Sequence, residues 1–432
     1  MSEKFDVIVV GSGPSGNAAA YTAAKAGLNV LQIERGESAG SKNVQGAILY
    51  SDALEKIIPE FRDEAPLERH LIEQRMWILD DDSYVGSTYR SQSFNTPPYN
   101  RYTIIRAQFD RWFSSKVQEA GALVICETTV TGLHLDGDRV VGIQTDRVGG
   151  SVYADVVILA DGVNSLLAKK AGFHAEIKAR DVALAVKEIH FMPDTTIESR
   201  FNIGPDEGVA IEMAGKITQG MVGTGFLYTN KESLTLGVGC LLSDFRTQGI
   251  SPHSLIEKMK KHPAIRPLIE GGEMREYSAH LIPEGGYNAI PKIHGDGWMM
   301  VGDAGMFVNS VHREGSNLAM TTGRLAAETV IELRREGKSF TAANLARYRA
   351  KLDDSFVMKD LKKYRDLPGV LENNHQFFTQ YPELINRAAH TMLLVDGADK
   401  KSKEREIRKS FVAKRSAFGL IGDAIKLWRA FE

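Results

Sequence analysis

Cysteine and net charge are both scarce in this chain of 432 residues. Cys126 and Cys240 are its only cysteines, too few for a four-cysteine iron–sulfur cluster, and they lack the spacing of metal ligands. Both lie in apolar, strand-like runs, so we expect buried free thiols. The formal net charge is −2, which provides no general attraction to nucleic acid.

Long hydrophobic runs are missing as well. No apolar stretch approaches the roughly 20 residues that span a bilayer. The first apolar run is too short for a signal peptide and passes directly into a glycine-rich motif, which predicts a cytoplasmic protein. The content of 43% hydrophobic and 25% charged residues is typical of a soluble globular protein, and the length predicts two or more domains.

The first motif joins a short apolar strand, residues 5–10, to a glycine-rich turn and an alanine-rich helix. In such a turn Gly11 permits the tight bend, Gly13 lets the backbone approach a pyrophosphate, and Gly16 lets the helix pack on the sheet. The helix start presents N–H groups and a positive dipole end to phosphates. The motif therefore predicts a dinucleotide site.

An acidic residue completes this motif. Glu34 ends the next apolar run, residues 29–34, where it is placed to accept a hydrogen bond from a ribose hydroxyl. A carboxylate there repels a 2′-phosphate, which favours FAD or NAD over NADP. The motif by itself leaves FAD and NAD open.

The remaining sequence indicates an interrupted nucleotide-binding domain. Alternating β-rich segments between about residues 181 and 287 predict a largely antiparallel second domain, and a long helix is expected from about Ser316 to Arg335. Glycines 220–225 are interpreted as strand glycines because no helix follows them. The predicted divisions are a nucleotide-binding domain over residues 1–180 and 291–340, a β-rich substrate domain over residues 181–290, and a helical region over residues 341–432.

Two later motifs resemble those of one superfamily. A buried strand ends at Asp161-Gly162, and another ends at Gly302-Asp303 and is followed by Glu314-Gly315 and a helix. With the first motif, these resemble the glutathione-reductase-type FAD superfamily in its hydroxylase-like branch. The resemblance implies an α/β fold: an FAD-binding Rossmann domain with an inserted antiparallel β-rich domain and a helical C-terminal region.

Residue roles follow from this resemblance. Asp303 takes the place near the flavin ribityl chain and the pyrophosphate, Arg106 matches an arginine near the flavin, and the backbone of Val130 faces the adenine. Taken singly, the aspartates also fit ordinary strand-to-turn punctuation, and Arg106 fits a surface arginine at a helix start. The residues predicted to bind FAD are Gly11, Gly13, Pro14, Ser15, Gly16, Glu34, Arg35, Lys42, Asn43, Arg106, Val130, Ala160, Asp161, Gly162, Gly302, Asp303, Arg313, Glu314 and Gly315.

A closer resemblance covers essentially the whole chain. Residues 271–291, with the segment from Gly302 to Gly315, look like the electron-transfer-flavoprotein:quinone oxidoreductase family, and residues 40–46 and 159–165 resemble its short, FixC-type members. The resemblance implies that FAD receives electrons from a two-chain electron-transfer flavoprotein of the FixA/FixB type and passes them toward quinone. In many members the setting is nitrogen fixation, where NADH oxidation is divided between quinone and a low-potential ferredoxin or flavodoxin.

The same resemblance implies a further partner. Full-length quinone oxidoreductases carry a C-terminal four-cysteine ferredoxin-like domain. FixC-type proteins do not carry those cysteines, and the resemblance implies that a separate small FixX-type ferredoxin is their partner. This chain lacks those cysteines. We expect no side-chain nucleophile and no metal, because flavin does the redox chemistry.

Polar residues beside the later motifs have open roles. If the helix after Gly315 faces the flavin pyrimidine edge, its positive end stabilises negative charge on the reduced flavin. Tyr277, His280 and Glu284 line a quinone pocket or the flavin edge, or are ordinary strand and loop residues. His312 and Arg313 precede that helix directly, although Arg313 also fits a solvated side chain.

The C-terminal sequence is basic and then amphipathic. Residues 400–415 contain eight Lys or Arg against Glu404 and Glu406, and residues 418–428 follow with a partly amphipathic pattern. Such a segment docks on anionic lipid, docks an acidic ferredoxin, or is a solvated helix. The localisation prediction is cytoplasmic, with peripheral attachment to the inner face of the cytoplasmic membrane left open.

Other functions fit the same fold. One is a geranylgeranyl-reductase-like prenyl reductase, although the tyrosine–tryptophan pocket motif of such reductases is not evident. Another is a non-enzymatic FAD scaffold of an electron-transfer complex. A hydroxylase is disfavoured because the usual proline after Gly-Asp is replaced around Ser310 and Val311.

Overall fold

The computed structural model describes residues 4–42 and 48–431. Its strands, in chain order, are β1 (Lys4–Val10), β2 (Val30–Ile33), β3 (Ile48–Tyr50), β4 (Leu67–Leu79), β5 (Tyr84–Arg90), β6 (Arg101–Ile104), β7 (Leu123–Ile125), β8 (Val130–Asp136), β9 (Arg139–Thr145), β10 (Ser151–Leu159), β11 (Val182–Phe191), β12 (Glu207–Gly215), β13 (Gly223–Thr229), β14 (Ser233–Leu241), β15 (Glu273–Pro283), β16 (His294–Gly295) and β17 (Trp298–Met300).

Its α-helices, in chain order, are α1 (Pro14–Lys25), α2 (Ser51–Glu55), α3 (Phe61–Glu64), α4 (Arg106–Glu119), α5 (Leu166–Lys170), α6 (Asp194–Phe201), α7 (Leu242–Gln248), α8 (Pro252–Lys260), α9 (Arg266–Ile269), α10 (Ser316–Arg335), α11 (Ala342–Asp354), α12 (Phe356–Lys363), α13 (Leu367–Glu372), α14 (Gln380–Leu393), α15 (Lys400–Lys414) and α16 (Ala417–Phe431).

The chain divides into two compact units, each assembled from three segments. The first unit contains residues 1–68, 100–182 and 280–363, and the second contains residues 69–99, 183–279 and 364–432. The β-rich stretch of the sequence thus supplies the middle segment of the second unit. The C-terminal helical stretch is divided between the two units at residue 363.

A parallel sheet forms the centre of the first unit. Its strands lie in the order β17-β10-β1-β2-β7, all parallel, with β16 antiparallel at one edge and β9 pairing with both β10 and β8. Val7 and Val9 pack into a core with α1, α10 and α11, whereas Ile8 and Val10 pack into a second core with β8, β9 and α5. Because both faces of β1 are buried, the strand is apolar throughout, as is typical of parallel sheets. The predicted α/β fold is confirmed.

The adjacency of these strands positions the site. β17, β10 and β1 are neighbours and run in the same direction, so their carboxyl ends meet at one edge of the sheet. Ligands of open α/β sheets bind outside that edge. The three sequence motifs, which are up to about 290 residues apart in the chain, follow these three strand ends.

An extended sheet forms the second unit. Its order is β15-β11-β14-β13-β12-β4, with β5 on the far side of β4, and the pairings of β11, β14, β13 and β12 are antiparallel while β12 and β4 are parallel. One face carries the core residues Val186, Leu236 and Leu227 and packs on helices α6 to α8. Gly223 and Gly225 lie in β13, which confirms their interpretation as strand glycines. Gly220 lies in the turn before β13 with φ +85°, so that interpretation is wrong for it.

A buried arginine joins two segments of the second unit. Arg69, near the start of β4, is 1% exposed and donates hydrogen bonds to the carbonyl oxygens of Asn230 (2.7 Å), Lys231 (3.0 Å) and Glu207 (3.2 Å). Its guanidinium also lies 3.3 Å from Glu198. These bonds satisfy donors that would be costly to bury unpaired, and they fix β4 against the middle segment.

The last helix of the second unit is held by a polar network on its inner side. Asp423 is 1% exposed and accepts hydrogen bonds from Arg415 (2.9 and 2.8 Å), Tyr381 (2.8 Å) and Gln376 (3.2 Å). The opposite side of α16 carries exposed apolar side chains at positions 418, 421, 425 and 428. Among the helices of the described residues, none has the length and apolarity to cross a membrane.

The two thiols differ. Cys240 in β14 is fully buried, which confirms the prediction, and burial raises the pKa of its thiol. Cys126 is only partly buried, so the prediction of a buried thiol is wrong there. The physical reason is its place directly after β7, the edge strand of the first sheet.

Candidate functional site

The glycine-rich turn has the close approaches that its sequence predicts. The N–H of Gly11 donates to the carbonyl oxygen of Ile33 at 2.8 Å, and Gly11 has φ +108°. A Cβ on Gly11 would overlap the carbonyl of Ala160, and a Cβ on Gly16 would overlap the carbonyl of Gly11. The turn is therefore packed tightly against the end of β10.

The start of α1 forms an open cradle above this turn. Gly13 caps the helix without a side chain, and the position of a Cβ on Gly13 has no atom of the described residues within 4 Å. Pro14, Ser15 and Gly16 make up the first turn, which carries no acidic side chain. Backbone N–H groups and the positive helix end thus face a space that an anion fits.

Glu34 stabilises the turn and borders the same cradle. Its carboxylate accepts hydrogen bonds from the N–H of Ser12 at 3.0 Å and of Gly36 at 2.7 Å. The backbone of Glu34 pairs with Ile125 and Thr128, so the segment between β7 and β8 lies beside it. Arg35 is exposed, and Val130 begins β8 at the end of that segment.

A buried polar network lies under the turn, and the sequence motifs did not indicate it. Gln32 donates to the carbonyl of Gly11 at 3.0 Å and to Asn17 Oδ1 at 2.9 Å, and Asn17 donates to the carbonyl of Ser12 at 3.2 Å. Asn17 and Gln32 are both 0% exposed. Their signal in the sequence is an amide among apolar neighbours, on a buried helix face and in a buried strand.

The second motif brings a carboxylate to the end of β10. Asp161 Oδ2 accepts a hydrogen bond from the N–H of Leu167 at 3.2 Å. Asp161 Oδ1 is buried, and within residues 4–42 and 48–431 no donor bonds to it. Burial raises the pKa of Asp161, although the bond from Leu167 opposes this. Gly162 follows with φ +78° and open space beside its Cα.

The third motif returns to the first. Gly302 lies against Ser15, because a Cβ on Gly302 would overlap that side chain, and its N–H donates to Thr322 Oγ1 at 3.0 Å. Asp303 follows in a short 3-10 helix, Gly302–Gly305. Burial raises the pKa of Asp303 to about 6, and the charge of Arg106 opposes that shift.

Arg106 is committed to an internal ion pair. It begins α4, is 8% exposed, and donates to Asp110 Oδ1 at 2.9 Å and to Asp110 Oδ2 at 2.8 Å. The charge of Arg106 nevertheless acts on both Asp303 and His280. It therefore contributes positive potential to this edge of the sheet while being held in place by its own helix.

A closed loop leads into α10. The backbones of Asn309 and Glu314 form a two-way bridge (2.9 and 3.1 Å), and Asn309 Oδ1 accepts from the N–H groups of Val311 and His312. Arg313 has φ +56°, and Gly315 caps α10 without a side chain. We call residues 309–314 the bridge loop.

Two buried amide atoms, one at the start of this loop and one in the first turn of α10, have no hydrogen-bond partner in the described part of the chain. They are Asn309 Nδ2 and Asn317 Oδ1. Asn317 Nδ2 donates to Glu314 Oε2 at 3.2 Å, which fixes the orientation of the amide. A donor and an acceptor are thus both presented beside the start of α10.

The end of β15 supplies two more titratable groups. Burial, together with the charges of Arg106 and Arg35, lowers the pKa of His280 to about 4, so the imidazole is neutral at pH 7. Burial raises the pKa of Glu284 to about 7, against the effects of Arg313 and Ser310. Tyr277 belongs to the second unit, where its ring edge contacts His253.

Two predicted residues lie at the margin of the described segments. Lys42 is exposed at the end of the first described range. Asn43 lies outside the described residues, as do residues 44–47. The described ranges contain no group of three or more His, Cys, Asp or Glu side chains that could hold a metal ion.

Comparison with known proteins decides the family. The chain is 68% identical over its full length to the protein named FixC of Azotobacter vinelandii, and it covers 100% of that protein. The chain belongs to the FixC family. Its residues 367–432 match the model of the ETF-QO/FixC family C-terminal domain, and residues 6–196 match that of the FAD dependent oxidoreductases.

One more distant relative and one solved structure are also similar to this chain. A protein of Escherichia coli strain K12 named "Probable electron transfer flavoprotein-quinone oxidoreductase YdiS" is 39% identical over 98% of both chains. The structure of a geranylgeranyl bacteriochlorophyll reductase-like protein from Thermoplasma acidophilum superposes with a TM-score of 0.73, at 19% identity, over 95% of this chain and 96% of that one. At that identity the structural likeness concerns the fold alone.

This FixC-family protein is an FAD-dependent oxidoreductase of electron transfer, and its cofactor is FAD. Its residues fit that group on two observations of the structure. A Cβ on Gly13 would occupy the open space at the start of α1. The buried Asp161 Oδ1 accepts no hydrogen bond from the described residues. A phosphate-bearing cofactor with hydroxyl donors matches both.

We propose the following placement of FAD. The start of α1 would hold the pyrophosphate, and Glu34 would bind the adenosine ribose, beside the backbone that leads to Val130. Asp161, Asp303 and the bridge loop would hold the ribityl and flavin half. Bound FAD supplies the electron-accepting and electron-donating ring system, and the chain supplies orientation and electrostatic potential.

Proposed function

We propose that the protein accepts electrons from a two-chain electron-transfer flavoprotein of the FixA/FixB type and delivers them to quinone. The observation that supports this proposal is the open, anion-fitting cradle at the start of α1, in a chain that matches over 98% of its length a relative named as a probable electron transfer flavoprotein-quinone oxidoreductase. The groups of the described site are suited to bind and orient a cofactor and to set its potential.

The chain's own residues tune the flavin environment. Arg106 and the start of α10 contribute positive potential, which favours negative charge on a reduced ring. Asp303, with a pKa of about 6, is largely ionised at pH 7 and partly offsets that potential. We infer that the balance between these groups sets the flavin midpoint potential.

A separate ferredoxin completes the proposed pathway. The matched C-terminal stretch, residues 367–432, contains no cysteine, and Cys126 and Cys240 are the only two in the sequence. An iron–sulfur cluster with four cysteine ligands would therefore be brought by a partner chain of the FixX type. In this assembly NADH oxidation would be divided between quinone and a low-potential carrier that supplies nitrogen fixation.

Reduction of the bound FAD by a reduced electron-transfer flavoprotein tests the main proposal. Rapid mixing should bleach the flavin absorbance of this protein, and added quinone should restore it. Absence of bleaching, with loss of a prenyl double bond driven by NAD(P)H, would instead support a prenyl reductase. Absence of both reactions, with FAD bound and the complex intact, would support a scaffold.

The outer face of α16 is the proposed contact with the membrane. Phe418, Ile421, Ile425 and Trp428 are 89%, 58%, 42% and 67% exposed and recur at a spacing of three and four residues, so they share one side of the helix. Arg429 and the basic helix α15 lie beside this stripe in sequence. An apolar stripe flanked by cations fits the interface of an anionic bilayer.

Vesicle co-sedimentation tests this contact. Exchange of both Phe418 and Trp428 for Ser should lower binding to anionic vesicles by about tenfold, since each exchange removes a large ring that would insert into the bilayer interface. Val148→Ser, which removes a fully exposed side chain of the first unit, is the matched control. Unchanged binding of the double variant would exclude the membrane role, and loss of ferredoxin binding instead would identify a protein partner.

A further inference from the structure

The side chain of Glu284 connects the end of β15 to the bridge loop. Its carboxyl group hydrogen-bonds with the Ser310 side chain, and the positive charge of Arg313 acts on it. The backbone at this position is fixed separately, because the N–H groups of Glu284 and Gly285 both donate to the carbonyl oxygen of Asp181, at 2.8 and 3.0 Å. The carboxyl is thus presented from a fixed backbone to a loop.

The bridge loop is closed by a backbone bridge, and Glu284 interacts with two residues inside it. The backbone bridge between Asn309 and Glu314 closes the base. Ser310 and Arg313, the two residues linked to Glu284, lie inside the closed segment, and Arg313 is in the left-handed region with φ +56°. A non-glycine residue keeps this conformation only where its surroundings hold it.

We propose that Glu284 is a protonatable positioning residue, which sets the bridge loop and the start of α10 through Ser310 and Arg313. As a carboxylate it accepts the hydrogen bond from Ser310 and attracts Arg313. When it takes up one proton it loses that attraction, and the loop is held less firmly. The step is a proton exchange with water and involves no oxidant or reductant.

The charged groups around Glu284 agree with a change of state near neutral pH. Arg313 faces it from the bridge loop, and the Asp181 side chain lies against Gly285 from the segment before β11. On β15 itself, His280 is neutral at pH 7. Burial raises the pKa of Glu284 to about 7, so both forms are populated near neutral pH.

Hydrogen exchange of the bridge amides tests the loop directly. In the FAD-loaded protein, protection of the N–H groups of Asn309 and Glu314, corrected for intrinsic rates, should rise about tenfold as the pH passes upward through 7. Glu284→Gln keeps the size and the acceptor for Ser310 but cannot ionise, so its protection should be independent of pH. Glu273→Gln, at an exposed position of β15, is the matched control and should keep the wild-type response.

The result that would overturn the proposal is a wild-type pH response in Glu284→Gln. Ser310→Ala provides a second test if that variant does not fold. It removes the hydroxyl that donates to the Glu284 carboxylate and should lower protection more above pH 7 than below it. An equal loss of protection on both sides of pH 7, or no loss on either side, would also overturn the proposal.

The effect on the flavin rests on the FAD placement proposed above. If that placement holds, the midpoint potential of the bound flavin should change its pH dependence near pH 7, and Glu284→Gln should abolish the change. A loop that responds to pH beside a potential that does not would disprove the flavin placement and support the role of Glu284. A potential that responds equally in both proteins would count against Glu284.

Discussion

At the scale of single residues, an added methyl group should have different effects at two positions of the glycine-rich turn, one facing the proposed cofactor and one packed against the chain. Gly13→Ala places a Cβ in open space, so the free energy of unfolding of the FAD-free protein should be unchanged, while FAD affinity falls at least about tenfold because the Cβ occupies the cradle. Gly16→Ala overlaps the Gly11 carbonyl and should also lower the free energy of unfolding by about 1–3 kcal/mol. Thermal melts and FAD titrations measure both. Equal destabilisation by the two variants would contradict this assignment.

His280 on β15 and Glu284, directly after this strand, should have opposite effects on how stability depends on pH. The pKa of Glu284 is raised from 4.5 to about 7, so the folded state binds more protons and stability falls as the pH rises between these values. The pKa of His280 is lowered from 6.5 to about 4, so the unfolded state binds more protons and stability rises over that range. Each effect is worth about 1–3 kcal/mol.

Because the two effects cancel over most of their range, the single variants should reveal them. Denaturant unfolding of the FAD-free protein should show stability falling with pH in His280→Gln and rising with pH in Glu284→Gln, each relative to the wild type. Parallel curves for the three proteins would show that these groups do not titrate as described.

Residue roles were predictable where a backbone rule demands them. Gly11 and Gly16 lie where the motif requires, since only glycine fits the close approaches. The Glu34 carboxylate accepts from two backbone N–H groups, which the motif did not indicate, and its role toward a ribose stays a prediction. The support of the turn by Asn17 and Gln32 was not predictable, because a buried amide has no spacing rule. The bidentate pairing of Arg106 with Asp110 was missed, although it has the i,i+4 spacing of a local pair within α4.

At the scale of elements, α16 depends on a single buried carboxylate. Asp423→Asn keeps the shape but removes the negative charge that Arg415 and Tyr381 bond to, which should cost about 1–3 kcal/mol. The loss should appear as faster hydrogen exchange in residues 417–431. Asp353→Asn, in an exposed pair with Arg349, should change stability by less than about 0.5 kcal/mol. Uniform exchange across α16 in the two variants would contradict the role of Asp423.

Long apolar or strongly periodic elements were predictable, and charged ones were not. The helix expected from about Ser316 to Arg335 is α10 with those bounds. The thirteen-residue strand β4 was missed because Arg69, His70 and Glu73 interrupt its apolar pattern, although all three are buried. Their burial is made possible by partners that the apolar pattern does not show. Arg69 bonds with Asn230, 161 residues away, whereas His70 bonds with Asn95, and Glu73 bonds with Arg75 and Arg90.

At the scale of the whole molecule, FAD should stabilise the first unit selectively. Every described residue of the proposed cradle belongs to that unit. At a free FAD concentration of 100 Kd, binding adds about 2.7 kcal/mol to the folded state. Hydrogen exchange with and without FAD should therefore show added protection around residues 10–16, 160–167 and 302–316. Equal protection of residues 183–279 would refute the cradle.

The order of the strands in the first sheet has a consequence for biosynthesis. β1 can pair with β2 as soon as residue 33 has been made, but its other neighbour, β10, ends only at residue 159. At about 5–20 residues per second, one edge of β1 therefore stays open for roughly 7–30 s after the strand is made. β10 in turn meets β17 only when residue 300 has been made. A holdase chaperone should find a binding site on the open edge of β1, next to the segment proposed to bind the cofactor.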